Sequence, residues 1–334
     1  MFIAYLQAIA IVLVVLYHSF HQYPGGNHGF DIWGMRLLAT LRMPIFLFIS
    51  GFLMVVTTER KRPSWGEYSL RKVKRLLIPF FTLTLVTFLP RAKMSSMADD
   101  PIELSGSGLA DALTRADSMV IPFFWYLQAS VIVLCGTYLL TLIAQKAGLP
   151  PVLLYLAGFF IFLVMRETDA IRTDLFSLNR TFKWGANFFL GAAFAFIPEK
   201  TLSRIPWTSP VFTLCSAAVW VTLFTLFERT PYLSELVTIS AFITFISIAK
   251  ILVAKKITTL DHLTGANYII FLLSWFFNVL SQQVLHHFIP ALPWMTYTIL
   301  SLVLGIYCPL AIYNLLKKHK EHPLAKATSF LLGQ

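Results

Sequence analysis

The hydrophobic residues of this chain fall into long runs that are separated by short polar segments. A helix that crosses the hydrocarbon core of a bilayer needs ~20 apolar residues. On that rule the sequence predicts about ten spans, over residues 2–20, 36–57, 73–90, 120–143, 150–166, 182–197, 210–228, 234–254, 265–285 and 294–316. The predicted fold class is therefore an all-α integral membrane protein.

The basic residues between the runs predict the orientation of the spans. If the N-terminus is cytoplasmic, the loops on the cytoplasmic side carry about twice as many lysines and arginines as the loops on the other side. The richest loops are TTERKRPSWGEYSLRKVKR and the tail KKHKEHPLAK. We therefore expect both termini to be cytoplasmic.

The composition supports a membrane protein and argues against other classes. The 334 residues are 57% hydrophobic and 13% charged, whereas a soluble domain carries about 25% charged residues. The net charge of +11 suggests nucleic acid at first, but the basic residues lie in loops and indicate topology instead. We expect no nucleic-acid partner. The first run lacks a basic leading region, so we interpret it as a span and not as a cleaved signal.

The organisation predicted is a single transmembrane domain over residues 1–334, with no appended soluble domain. Cys135, Cys215 and Cys308 are scattered through apolar runs, which favours packing roles over a disulfide or metal cluster. The sequence contains no CxxC pair, Gly-rich nucleotide loop or GxSxG elbow. We expect no metal.

Two ionisable residues inside the predicted spans are the sharpest candidates for chemistry, because such residues are costly in a bilayer. His18 ends the first span, and Arg42 follows in the second, about two turns in. Because consecutive spans cross the membrane in opposite directions, both residues would lie in its outer half. A fixed cation disfavours the protonated imidazole, which suits a general base. Alternatively, His18 is an interfacial residue and Arg42 reaches up to the headgroups.

Gln7 precedes His18 by eleven positions, which returns to nearly the same helix face three turns away. It can therefore point into the same cleft, as a substrate-binding residue. The alternative is that it joins helices by hydrogen bonding, as lone glutamines in spans often do.

Four segments in order resemble acyltransferase family 3, whose members are bacterial multi-pass membrane O-acetyltransferases. They are VLYHSF, RMPIFLFISGFLM, RKVKRLLIPFF and FFWYLQASVIVL, over residues 4 to about 140, with a weaker echo in WGANFFLGAAFAF at 184–196. The ordered set is fairly specific, although no single segment is. The stand-alone xanthan-type and fucose-type exopolysaccharide acetylases are the most similar in organisation.

The resemblance implies roles for matching residues. His18 matches the family's first-helix histidine, the candidate catalytic base, and Arg42 matches the arginine before the segment that holds Ser50. The basic hinge would bind the phosphates of acetyl-CoA, and the aromatic segment would bind substrate. The hinge residues are Arg71, Lys72, Lys74 and Arg75, and the aromatic segment contributes Trp125, Tyr126 and Gln128. Plain cytoplasmic anchoring of the hinge and an aromatic belt at the interface remain alternatives.

The chain departs from the family pattern at two positions. Gln7 stands where members usually carry a basic residue, and Ser274 stands where many carry a late histidine. The first departure puts in doubt a mechanism that needs a cation there, and the second suggests a distinct subgroup or a partly degenerate site.

The resemblance thus implies an enzyme of the bacterial inner membrane. It would transfer acetyl from acetyl-CoA to a sugar hydroxyl of an exopolysaccharide, another surface glycan or its lipid-linked precursor, with membrane lipid and that glycan as partners. The alternative is an exporter of polysaccharide or lipid-linked sugar, in which His18 and Arg42 line the path. The sequence does not decide the oligomeric state.

Overall fold

A computed structural model describes residues 2–21, 29–93, 102–289 and 292–333, with the backbone alone at 21, 29–32, 282, 283, 286 and 287. Helices dominate, and the described residues contain no strand, only an isolated bridge between Arg115 and Leu175. The helices are α1 (Phe2–His21), α2 (Gly29–Ala39), α3 (Arg42–Lys61), α4 (Trp65–Lys93), α5 (Gly106–Thr114), α6 (Trp125–Lys146), α7 (Pro151–Glu167), α8 (Leu178–Phe194), α9 (Glu199–Leu202), α10 (Pro210–Phe227), α11 (Ser234–Ala254), α12 (Asn267–Phe288), α13 (Trp294–Lys318) and α14 (Pro323–Leu331).

Each of the ten predicted spans overlaps at least one of these helices. Within the described ranges, seven helical segments are long and apolar enough to cross a membrane. α7 and α8 have 17 residues each, and the fully described part of α12, Asn267–Ser281, is a shorter apolar helix. The all-α membrane fold is therefore confirmed. The number of crossings and the cytoplasmic position of both termini stay predictions.

The predicted span 36–57 lies within one apolar segment long enough to cross a membrane, Trp33–Lys61, but the helix is interrupted inside it. α2 ends at Ala39 and α3 begins at Arg42, so Arg42 lies in the first turn of α3 and not two turns into a helix. Pro44 explains the break, since its ring would clash with the carbonyl of Thr40 in a continuous helix. Position three of α3 tolerates a proline because the first turn leaves its backbone N–H groups without intrahelical partners.

The chain divides into two compact units, and the division falls inside α3. The first unit comprises Met1–Phe46 and Pro198–Lys320, and the second comprises Leu47–Ile197 and Glu321–Gln334. The prediction of one domain over the whole chain stays a prediction.

In the first unit, α1 packs against α2, α11, α12 and α13. Its buried stripe consists of small and branched residues, with Ala10, Ile11 and Val15 fully buried. Small side chains let neighbouring backbones approach closely, which is how membrane helices gain packing energy. α1 is therefore enclosed by four partners, although its sequence is apolar all round.

In the second unit, α3 and α8 meet backbone to backbone through two glycines. A methyl group at Gly51 would overlap the carbonyl of Phe188, and one at Gly191 would overlap the carbonyl of Phe48. Gly51 belongs to FLFISGFLM and Gly191 to WGANFFLGAAFAF. The structure thus brings these two sequence segments into contact and gives their glycines a packing role.

Candidate functional site

His18 lies at the C-terminal end of α1 with 8% of its surface exposed. Its ring meets that of Tyr17 edge to face, with 5.4 Å between centroids. Burial separates His18 from the usual interfacial histidine, because most of the imidazole is removed from solvent and lipid. The ring is held by the protein.

Arg42 reaches the same tyrosine from the first turn of α3. Its guanidinium carbon lies 3.5 Å from the centroid of the Tyr17 ring, a short cation–π contact that is worth about 1–2 kcal/mol. Tyr17 therefore contacts both residues that the sequence singled out for catalysis. Sequence reasoning missed Tyr17, although it stands directly before the histidine in VLYHSF.

The turn that precedes Arg42 is held by α10. The indole of Trp220 donates a hydrogen bond to the hydroxyl of Thr40 at 3.3 Å. On α2, the Nε of Arg36 donates to a carboxylate oxygen of Glu228 at 2.7 Å. These contacts fix the start of α3 and with it the base of the Arg42 side chain.

Gln7 lies on α1, three turns before His18, and is half-buried. It belongs to the same helix and the same unit as the histidine. Its predicted role in substrate binding stays a prediction.

Ser50 and Tyr126, two predicted substrate-binding residues, contact each other in the second unit. Their hydroxyl oxygens are 3.1 Å apart, which joins α3 to α6. Trp125 and Tyr126 are 7% and 9% exposed. Residues of an aromatic belt face the lipid headgroups, so burial argues against that alternative for both rings.

Gln128 is committed to contacts within the protein. Its Nε2 donates to the carbonyl of Leu113 at 2.8 Å, and its Oε1 accepts from the hydroxyl of Ser177 at 2.7 Å. Ser177 is fully buried and has a left-handed backbone, with φ of 59°. Gln128 thus fastens α6 to the end of α5 and the start of α8. The predicted role in substrate binding stays untested, but these contacts favour a structural one.

The four basic residues of the predicted hinge lie on α4, a continuous helix. Arg71, Lys74 and Arg75 are exposed and share one face, as residues three and four apart do. Lys72 is half-buried, and its ammonium group lies 5.2 Å from the centre of the Tyr68 ring. The helix therefore presents three of the four charges together.

A cavity of about 370 Å³ lies at the turn between α3 and α4, in the second unit. It adjoins the hinge through two tyrosine rings, because Tyr138 lines it and its ring centroid lies 4.5 Å from that of Tyr68, with the rings tilted by 46°. The Tyr138 hydroxyl donates to the carbonyl of Pro63 and so fixes that turn. The lining residues are Thr58, Glu59, Arg62, Pro63, Tyr138, Thr141, Leu142 and Gln145. The sequence gives no sign of this cavity because its lining comes from two segments that are distant along the chain.

α12 carries a stripe of buried polar residues, of which the sequence indicated Ser274 but not its two neighbours on the same face. Ser274, Asn278 and Ser281 are 1%, 0% and 6% exposed. They follow the spacing of four and three that places residues on one helix face, and α12 packs against α1. That spacing in an otherwise apolar run was the signal that could have found them.

The described residues include no group of three or more histidine, cysteine or acidic side chains placed to hold a metal ion.

The model of one protein family, described as an acyltransferase domain, matches residues 2–314. No curated protein and no solved structure matches the chain significantly. The family match covers nearly the whole chain and agrees with the apolar helices. The chain belongs to acyltransferase family 3 and is a multi-pass membrane acyltransferase.

Proposed function

We propose that the protein is an O-acetyltransferase of the bacterial inner membrane. It moves acetyl from acetyl-CoA to a sugar hydroxyl of an exported polysaccharide or of its lipid-linked precursor. The observation that carries the proposal is the buried His18, whose neighbour Tyr17 also contacts Arg42. A membrane acyltransferase needs a base and a fixed positive group close together, and this grouping supplies both.

His18 acts as the general base. It removes the proton from the sugar hydroxyl while the oxygen forms a bond to the thioester carbonyl carbon. The carbonyl electrons move onto oxygen, and the tetrahedral intermediate collapses with cleavage of the carbon–sulfur bond. The imidazolium then returns its proton to the thiolate of CoA.

Arg42 stabilises the oxyanion of that intermediate. Fixed positive groups that face a developing negative charge lower the barrier because they need no reorganisation during the reaction. The Tyr17 ring restrains the guanidinium at 3.5 Å, which limits the orientations that the long side chain can adopt.

The exposed cations on α4 bind the phosphates of the donor. Arg71, Lys74 and Arg75 lie on one helix face, and guanidinium groups bind phosphate oxygens with charge-assisted hydrogen bonds. The adjacent cavity of about 370 Å³ is within the size range of small-molecule sites. Cytoplasmic acetyl-CoA fits a basic helix on the predicted cytoplasmic side.

Mass analysis of surface polysaccharide tests the proposal in cells. Cells that produce the wild-type protein should carry acetylated glycan, and cells that produce His18→Ala at the same level should lack the acetyl mass. His262→Ala is the matched control, since His262 is exposed and stacks on Tyr307. Retained acetylation in His18→Ala would rule out His18 as the base. Loss of glycan export without any change in acetylation would favour the exporter.

A further inference from the structure

Asn278 is a carboxamide at the centre of a membrane helix, and none of its surface is exposed. Burying an amide in an apolar environment costs several kcal/mol unless it is hydrogen-bonded. Such a residue is retained where its contacts hold something in place.

Its Nδ2 reaches the backbone carbonyl of Val15 on α1, at 3.5 Å. The assignment of the amide nitrogen follows from chemistry, because a carbonyl oxygen only accepts. The Oδ1 lies against α13 at Gly305, where any Cβ would overlap it. Asn278 therefore contacts α1 and α13 at once, and Gly305 makes room for it.

The carbonyl that Asn278 reaches is unusual within α1. It also accepts a hydrogen bond from the hydroxyl of Ser19 at 2.9 Å. Serine hydroxyls that bond back to the carbonyl four residues earlier weaken the helical ladder and often bend the helix. Val15 and Ser19 bracket the turn that carries His18, so this is the turn where a bend would redirect the imidazole.

We propose that Asn278 is a positioning residue for His18. It fixes the turn Val15–Ser19 against α12 and α13 and thereby sets the direction of the imidazole, without touching the reacting atoms. The proposal rests on the proposed function, in which His18 is the base. A base displaced by about 1 Å loses on the order of 100-fold in rate, so a small relaxation of this turn has a large effect.

Two kinds of variant displace the carboxamide. Asn278→Ser shortens the side chain so that it no longer contacts the carbonyl of Val15. The new hydroxyl can donate to a carbonyl of its own helix, as the hydroxyl of Ser281 does to the carbonyl of Asn278 at 2.9 Å. Gly305→Ala leaves Asn278 in the chain but fills the space of its Oδ1, and the added Cβ would also lie 2.8 Å from Cγ1 of Val15, so Asn278→Ser is the variant that isolates the carboxamide. Gly136→Ala is the matched control for the glycine change, because a Cβ at Gly136 in α6 meets nothing within 4 Å.

The kinetic test compares kcat per acetyl-CoA binding site with KM for acetyl-CoA. We expect Asn278→Ser and Gly305→Ala to lower kcat about 10- to 100-fold, while KM and the number of donor sites per protein change less than about twofold. Gly136→Ala should match the wild type. A purely structural role would lower the number of donor sites in parallel with the rate, and that result would overturn the proposal.

A second readout does not depend on catalysis. Amide hydrogen exchange in the purified protein should become about tenfold faster within the turn Val15–Ser19 of both variants and remain unchanged in α10. If the wild type transfers no acetyl group, the proposed function fails, but the exchange measurement still tests whether Asn278 restrains the turn Val15–Ser19 of α1. If the wild type is active and the turn exchanges normally in both variants, the positioning role is refuted and the proposed function stands.

Discussion

The contact between α3 and α8 predicts a large loss of stability from the addition of a single methyl group. In Gly51→Ala the new Cβ would lie closer than 3.0 Å to the carbonyl oxygen and carbon of Phe188, and 3.0 Å from the amide nitrogen of Ala192. All three neighbours are backbone atoms, so no side-chain rotation can relieve the overlap. The two helices have to separate by about 1 Å, which loosens the dispersion contacts along their interface.

The expected cost follows from the same geometry. Overpacking a well-packed core costs typically about 1–3 kcal/mol, and the reciprocal contact of Gly191 with the carbonyl of Phe48 loosens at the same time. We therefore expect about 3 kcal/mol for Gly51→Ala. At roughly 2–4 °C per kcal/mol, the melting temperature should fall by roughly 6–12 °C.

Thermal unfolding of the purified protein in one detergent measures this effect. Gly136→Ala is the control, because the same substitution there meets open space within a helix of the same unit. It should leave the melting temperature within about 2 °C of the wild type. Equal melting temperatures for Gly51→Ala and Gly136→Ala would refute the argument that α3 and α8 meet through their glycines.

Three further substitutions, two of them paired with a control variant, test the site. Tyr17→Leu should lower kcat for acetyl transfer about tenfold because the guanidinium of Arg42 loses its cation–π contact. Tyr17→Phe keeps an aromatic ring and should retain most of the wild-type kcat. Equal kcat values for the two variants would show that the ring has no role in catalysis. Gln128→Leu should lower the free energy of unfolding by about 1–3 kcal/mol, measured by thermal unfolding, since Ser177 and the carbonyl of Leu113 lose their hydrogen-bond partner. A raised KM for the acceptor with unchanged stability would instead support the predicted substrate-binding role. Arg71→Gln should raise KM for acetyl-CoA several-fold at constant kcat, as loss of uniform binding does, and Arg204→Gln should change neither.

The sequence was sufficient to predict the helical membrane fold, since each span depends on a local run of apolar residues. It was not sufficient to place Arg42 within its helix. The break at Thr40 and Leu41 depends on Pro44. Hydropathy does not show the effect of this proline on the preceding turn, because the whole run is apolar. A composition rule counts apolar residues and does not detect a lost backbone hydrogen bond.

The candidate site divides in the same way. His18 and Arg42 stand out from sequence because charge in a span is costly, but their shared neighbour Tyr17 becomes visible only from the fold. Gln128 shows the limit of matching by segment, because its partners Leu113 and Ser177 are distant in sequence. Local patterns identify residues whose side chains can react. Tertiary contacts determine which of those side chains are instead committed to hydrogen bonds that hold the fold, as Gln128 is.

The central claim is that His18 is the base of an acetyl transfer, and the rate of that transfer in the purified protein tests it most directly. The wild type and His262→Ala should move labelled acetyl from acetyl-CoA to the glycan acceptor at similar rates. His18→Ala should bind acetyl-CoA with unchanged affinity and transfer at least about 100-fold more slowly. Transfer by His18→Ala at the rate of the wild type would contradict the account.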